Sequence, residues 1–132
     1  MSKVLKSMFL VHAVVAAVIG ALLLLIPGQF LAWINWRPIE PIANRLFGAA
    51  LLGLSWSSFR GWRASEWAQV VVLVEMEAIF CILASVAVAR HLLAGQYPAI
   101  VWVVFVGFLV FAITWTALFV VGRRQGRASA TP

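Results

Sequence analysis

Apolar residues along the chain occur in four long runs, separated by short segments that contain proline, glycine, tryptophan or charged residues. A helix of about 20 residues, rising about 1.5 Å per residue, crosses a hydrocarbon core of about 30 Å. The runs predict four membrane-spanning helices, at about residues 5–26, 42–59, 67–93 and 98–121. Pro41 opens the second run and Gly122 closes the fourth, as is usual for helix starts and stops.

Basic residues are distributed unequally between the two sides that four spans define. Seven lie on the side of both termini: Lys3, Lys6, Arg60, Arg63, Arg123, Arg124 and Arg127. Three lie on the opposite side: Arg37, Arg45 and Arg90. Because cytoplasmic segments carry the excess of Lys and Arg in membrane proteins, both termini are predicted to be cytoplasmic.

The predicted fold class is therefore all-α: a polytopic membrane protein with an antiparallel bundle of four transmembrane helices. Residues 1–122 would form one transmembrane domain, and residues 123–132 a basic, disordered cytoplasmic tail. The expected localisation is the inner (cytoplasmic) membrane of a prokaryote. Composition agrees, because 64% of the residues are hydrophobic and 11% are charged, outside the range of soluble domains.

Charge and cysteine content narrow the partners and the chemistry. The net charge of +6 follows mostly from the topology, and the basic tail is expected to meet anionic lipid headgroups. A nucleic-acid partner is not predicted. The single cysteine, Cys81, lies in the third span, which excludes an intramolecular disulfide and a Cys-x-x-Cys centre.

Five tryptophans are predicted to anchor the bundle at the membrane interfaces, where aromatic belts lie. They are Trp33, Trp36 and Trp102 near the outer interface, and Trp62 and Trp67 near the inner one. Trp56 and Trp115 fall deeper, at positions that allow packing within the bundle. The first loop, PGQFLAWINWRPIEP, has two interpretations: a short helix lying flat at the outer surface, or an ordinary loop anchored by its tryptophans.

The second span carries a ridge of mostly small residues at intervals of four. The ridge begins at Arg45 and continues through Ala49, Gly53, Ser57 and Gly61. Small side chains at this spacing let another helix backbone approach closely, so these four residues are predicted to form a helix-packing face. Arg45 would lie at its outer end. The alternative for Arg45 is a side chain that simply reaches the membrane surface.

The third span, VVLVEMEAIFCIL, contains two carboxylates in an apolar segment. Glu75 and Glu77 point about 200° apart and would lie about 12 and 15 Å from the start of the span, with His12 about 9 Å from the same side. An ionised carboxylate near the membrane centre costs about 2.5–3.5 kcal/mol, so each needs a proton or a cationic partner. We predict a buried polar cluster of Glu75, Glu77, Arg45 and His12, which either fixes helix packing or exchanges protons.

Several kinds of chemistry find little support in these residues. One haem cannot be held by His12 and His91, because they lie at different depths, and glutamates two residues apart diverge too far for a metal site. No metal and no cofactor are predicted. An enzyme acting on a lipid or isoprenoid has its ingredients in Glu75, Glu77, Trp56 and Trp115, but no specific spacing supports it, so we predict no catalytic residue.

The function that fits best is a non-catalytic structural or accessory subunit, which self-associates or joins a larger membrane complex. Short loops and small-residue helix faces favour it. The alternative is a small proton-linked transporter or a lipid- or isoprenoid-binding protein that uses the intramembrane glutamates. An intramembrane cavity that reaches the glutamates would favour the alternative.

The segment PIANRLFGAALLGLSW, residues 41–56, together with the glutamates of the following helix, resembles the small DoxX-like four-helix membrane proteins. The resemblance covers most of the chain in the number and length of its helices. It implies a four-helix bundle with Arg45 as the family-like position. It implies no reaction and no substrate.

Overall fold

The computed structural model describes residues 1–36, 39–95 and 97–128, with side chains to residue 124. Arg37 and residues 129–132 of the predicted tail lie outside this part of the chain. The described residues form helices and no strand. The helices are α1 (Lys3–Leu25), α2 (Pro27–Trp33), α3 (Pro41–Arg63), α4 (Val71–Ala94) and α5 (Ala99–Ala128). They fall into two compact units, Met1–Ala64 and Ser65–Pro132, called here the first and the second unit.

Three helices are long and apolar enough to cross a membrane: α1, α4 and the Ala99–Arg124 part of α5. They indicate a membrane protein and agree with the all-α prediction. The helix α3 has a similar length but is not among them. It carries arginines at both ends and three serines, Ser55, Ser57 and Ser58, which lower its hydropathy. The fourth span and the orientation of the termini stay predictions.

In the first unit, α1 and α3 pack against each other in antiparallel directions, and their backbones touch at one point. A Cβ atom placed on Gly48 would lie 2.7 Å from the backbone nitrogen of Leu24 and 2.8 Å from the carbonyl oxygen of Gly20. No side chain fits at this distance, so glycine is required at Gly48. The contact fixes the separation of the two helices and their register.

The opposite end of the same pair is closed by an aromatic ring. Phe9 of α1 is fully buried, and its ring lies 2.6 Å from the place where Gly61 of α3 would carry a Cβ atom. A glycine therefore again makes room for the neighbouring helix. Together with Gly20 and Gly48, this contact shows that α1 and α3 lie side by side over most of their lengths.

The short helix α2 follows α1 directly, since Pro27 cannot continue α1 but suits the first turn of a new helix. It ends in a Schellman motif: Asn35 has a φ of 54°, and the N–H of Trp36 donates to the carbonyl of Leu31 at 2.8 Å. Leu31 is buried against Leu23 and Leu51, and Trp36 packs on the same cluster. A helix is thus confirmed for Pro27–Trp33, and its position at the outer surface of the membrane stays a prediction.

In the second unit, α4 and α5 form an antiparallel hairpin. Phe80 and Phe108 meet edge to face at 6.1 Å between ring centroids, and the indole of Trp67 lies where a side chain on Gly122 would stand. Before α4 the chain makes a 3-10 turn, Trp67–Gln69, stabilised by a capping box between Glu66 and Gln69. The helix α4 therefore begins four residues after the predicted start of the third span.

The helix α5 is longer than the predicted fourth span. It continues beyond Gly122 to Ala128, so the first residues of the predicted disordered tail are helical. Gly122 lies within the helix, whereas the sequence suggested that it ends the helix. Its lack of a side chain makes room for Trp67.

A pair of glycine substitutions in α3 tests the backbone contact. Gly48→Ala should lower the free energy of unfolding by about 1–3 kcal/mol, because its methyl group must displace backbone atoms. Gly53→Ala is the control, since nothing lies within 4 Å of its Cβ position, and it should be neutral or stabilising by up to about 1 kcal/mol. Thermal unfolding of the detergent-solubilised variants measures the difference, and equal stability of the two would contradict the contact.

Candidate functional site

The polar residues of the first unit meet inside the contact between α1 and α3. His12 and Ser58 are both buried, and the Nδ1 atom of His12 lies 2.9 Å from the Oγ atom of Ser58, within hydrogen-bond distance. Each side chain is held by its own helix, and the register set by Gly20 and Gly48 brings the two to the same level. Hydrogen bonding offsets the cost of placing an imidazole and a hydroxyl among apolar side chains.

A second hydrogen bond joins the two helices one turn away. The hydroxyl of Ser55 donates to the backbone carbonyl of Ala13 at 2.7 Å. The carbonyl oxygen has a second lone pair, so it can accept this bond in addition to its bond within α1. Two cross-helix hydrogen bonds and a backbone contact at the glycines make this the most specific interface that the structure describes within one unit.

The face of α3 that packs on α1 differs in phase from the predicted one. Its buried residues are Gly48, Leu51, Ser58 and Gly61, and of the predicted helix-packing face only Gly61 belongs to it. Ala49 and Gly53 are exposed, and the hydroxyl of Ser57 donates to Leu54 of its own helix. Steps of four drift by about 40° each around a helix, whereas mixed steps of three and four stay on one side. A packing role for Ala49, Gly53 and Ser57 towards other helices stays a prediction.

The two glutamates of α4 have different environments within the second unit. Glu77 has an exposed fraction of 0%, and the buried residues Ala78 and Cys81 flank it on the same helix. Glu75 is exposed. Because α4 begins at Val71, Glu75 and Glu77 lie about 6 and 9 Å from the start of the helix, nearer to its end than the sequence predicted.

The four residues of the predicted polar cluster divide between the two units. In the first unit, His12 lies at the level of Ser58, and the exposed Arg45 is about 20 Å away along α3. Those two residues are therefore not brought together. In the second unit, Glu75 and Glu77 point to different sides of α4. The predicted pairs His12–Glu75 and Arg45–Glu77 stay predictions.

The predicted tryptophan anchors occupy several environments. Trp33 and Trp102 are exposed, Trp36 packs on the Leu23 cluster, Trp67 contacts Gly122, and Trp62 lies 5.7 Å from Phe59 between ring centroids. Their position at membrane interfaces stays a prediction. Trp115 is buried, whereas Trp56 is 62% exposed and does not pack inside the first unit.

An apolar groove runs between α1 and α3 on the outside of the first unit, with a volume of about 480 Å³. It is lined by Leu10, Ala13, Val14 and Ala17 of α1 and by Leu52, Ser55, Trp56 and Phe59 of α3. Neither Glu75 nor Glu77 lines it. Sequence reasoning did not identify the groove, although the same spacing of three, one and three residues occurs in both helices.

Metal-ligating side chains are dispersed in the described part of the chain. No group of three or more His, Cys, Asp or Glu residues there is close enough to hold a metal ion. Of the polar contacts described in the first unit, His12 with Ser58 and Ser55 with Ala13 join the two helices.

Removal of the Ser58 hydroxyl tests the hydrogen bond in the interface. Ser58→Ala leaves the buried Nδ1 atom of His12 without this bond, and the variant should be less stable than Ser57→Ala by about 1 kcal/mol. Ser57→Ala is the matched control, because that hydroxyl bonds only a carbonyl of its own helix among the contacts described. Thermal unfolding in detergent gives the comparison. Equal stability would show that the His12–Ser58 contact contributes little.

Comparison of the chain with protein-family models, with curated proteins and with solved structures finds no match. The resemblance to DoxX-like proteins is not tested by these comparisons and stays a prediction.

Proposed function

We propose that the protein is a four-span membrane protein that acts as a non-catalytic structural or accessory subunit. The proposal rests on one observation: the small residues of α3 fall into two sets that lie on different sides of the helix. One set, including Gly48 and Gly61, is used by α1, while Ala49 and Gly53 remain exposed. These two residues are called here the open face.

The packing of α3 on α1 supports a fourth span. Both helices have 23 residues, and α3 follows α1 from the Phe9–Gly61 contact to the Gly20–Gly48 contact. If α1 crosses a bilayer, α3 must lie at the same depth. Its polar groups suit this position, because Ser58 faces α1 and the arginines lie at the ends. Seven basic residues against three support cytoplasmic termini.

The open face supports association with another helix. No heavy atom lies within 4 Å of the Cβ position of Gly53, so a backbone can approach there without displacing a neighbour. Arg45 lies one turn before Ala49 and is exposed. A partner helix with a carboxylate at that level would complement the charge of Arg45. The partner is a helix of this kind, in a second copy of the chain or in another subunit.

The polar contacts of the first unit also support a structural role. The hydrogen bonds of His12 with Ser58 and of Ser55 with Ala13 join two helices within the apolar interface. Buried polar groups of this kind fix register and specificity in membrane helix pairs. No exposed catalytic pair is needed to account for them.

A second candidate function is favoured by Glu77. It is a fully buried carboxylate in a helix that is long and apolar enough to cross a membrane, and such groups are the usual proton carriers of small transporters. This function requires uptake into liposomes that is driven by a pH gradient and lost in Glu77→Gln. The groove on the first unit does not reach either glutamate, so the structural role is preferred.

Cysteine labelling distinguishes four spans from three. In a Cys81→Ala background, Ser65→Cys should react with a membrane-impermeant thiol reagent only after the cells are permeabilised, as Ser2→Cys should. Ile39→Cys should react in intact cells, because an α3 that crosses the membrane would put it on the opposite side from Ser65. If α3 does not cross the membrane, Ile39→Cys and Ser65→Cys will react from the same side.

A leucine on the open face tests assembly. Gly53→Leu should reduce association of the purified protein, with itself or with a copurifying subunit, by about tenfold, because the larger side chain keeps another helix away. Gly107→Leu in α5 is the control, since its Cβ position is also open. Native mass spectrometry after gentle detergent extraction measures the association. Association unchanged in Gly53→Leu would contradict the proposal and favour the second candidate.

A further inference from the structure

The groove of the first unit leads to a group of charged residues at one end of that unit. The groove is apolar and open along one side. At one end of α1 and α3 lie four cations, Lys3, Lys6, Arg60 and Arg63, called here the basic end. We propose that the groove binds an acyl chain of an anionic phospholipid whose phosphate lies at the basic end.

The groove has the form that an extended hydrocarbon chain needs. The side chains of Ala13 and Ala17 are small and leave room for the groove, and the larger side chains of Leu52 and Phe59 lie beside them. The Ser55 hydroxyl already donates a hydrogen bond to the carbonyl of Ala13, so it does not need a polar group from the ligand. The space beside these side chains is about 480 Å³ and lies open along one side.

The groove opens to the outside of the unit. Val14 is 55% exposed and Trp56 is 62% exposed, although both line it. A ligand can therefore enter sideways from the bilayer without movement of either helix. An acyl chain of a bilayer lipid is the apolar group present at high concentration at that surface.

The basic end continues the two helix faces that form the groove. Lys6 lies one turn before Leu10 on α1, and Arg63 lies one turn after Phe59 on α3. The antiparallel packing brings these helix ends together, as the contact of Phe9 with Gly61 shows. An acyl chain in the groove would thus have its headgroup near Lys6 and Arg63.

The electrostatics of this end favour an anion. The acidic residue of the first unit, Glu40, lies at the other end, before α3 begins. The first turn of α1 has no acidic residue. Lysine and arginine provide the donors that phosphate oxygens accept. A zwitterionic lipid would gain less here than an anionic one.

Aromatic rings connect the groove with the basic end. Trp56 and Phe59 lie 5.8 Å apart between ring centroids, and Phe59 and Trp62 lie 5.7 Å apart. Tryptophan favours the boundary between hydrocarbon and headgroups. Along α3 the order is therefore apolar groove, aromatic rings and cations, which is the order of acyl chain, glycerol and phosphate in a phospholipid.

The charge part is tested with the full chain in detergent micelles. Phosphatidylglycerol and phosphatidylcholine with identical acyl chains are titrated, and bound lipid is counted by native mass spectrometry. The wild type should retain more of the anionic lipid. The double variant Lys6→Gln/Arg63→Gln should bind it about tenfold more weakly, since each basic residue near a membrane surface contributes to anion attraction. The control Arg45→Gln/Arg90→Gln removes the same charge outside the basic end and should bind as the wild type does.

The groove part is tested separately. Val14→Phe fills the groove from an exposed position and should weaken binding about fivefold by excluding part of the acyl chain. Val110→Phe, at a valine of α5 that is also 55% exposed, is the matched control and should change nothing. Both substitutions replace an exposed side chain, so helicity and elution volume should stay those of the wild type.

Several results would overturn the proposal. Equal retention of the two lipids, equal losses in the two charge variants, or unchanged binding in Val14→Phe would each do so. Displacement of bound lipid by glycerol phosphate alone would show a headgroup site that does not use the groove. A change of oligomeric state in Val14→Phe, without a change in lipid binding, would show that the groove is covered by a second copy of the chain.

Discussion

The close approach of two helix backbones at Gly20 and Gly48 determines the arrangement of the first unit. Because the backbones touch, α3 can shift neither along α1 nor away from it without losing contact along the pair. The register that results brings the hydroxyl of Ser58 to the imidazole of His12 and the hydroxyl of Ser55 to a carbonyl of α1. It also places the small side chain of Ala13 opposite Ser55, where the groove opens. The interface, the polar contacts and the groove therefore share one cause.

A bilayer offers no water to polar groups, so the position of each polar residue has an energetic reason. His12 lies nine residues after the start of α1 and is buried together with Ser58 between two helices. Arg45 and Glu75 are exposed, and each lies four residues after the start of its helix, about 6 Å from the end. If α3 crosses a membrane, the long side chain of Arg45 can place its charge in the headgroup region from there. Glu77 differs from both, because its carboxyl side chain is fully buried.

Much of the fold could be predicted from the sequence, because long apolar runs and prolines specify helices locally. Pro41 begins α3 as expected, and the ends of α1 fall within two residues of the predicted span. Steps of four could not predict the packing face of α3, because a helix has 3.6 residues per turn and such steps drift around it. Which side of α3 is buried depends on the position of α1. The partner of His12 depends on the same register. The late start of α4 depends on the Glu66–Gln69 capping box.

Around α3, the interface with α1, the groove and the open face occupy neighbouring sectors. At about 100° per residue, Ala49 and Gly53 lie beside the sector of Leu52 and Trp56, and opposite the sector of Ser58. A helix that packs on the open face would consequently border a lipid held in the groove. Its contact area would include the lipid as well as the protein, and the anionic headgroup would lie next to the interface. The two proposed activities, lipid binding and assembly, would thus be coupled by geometry, because both would use adjacent surfaces of one helix.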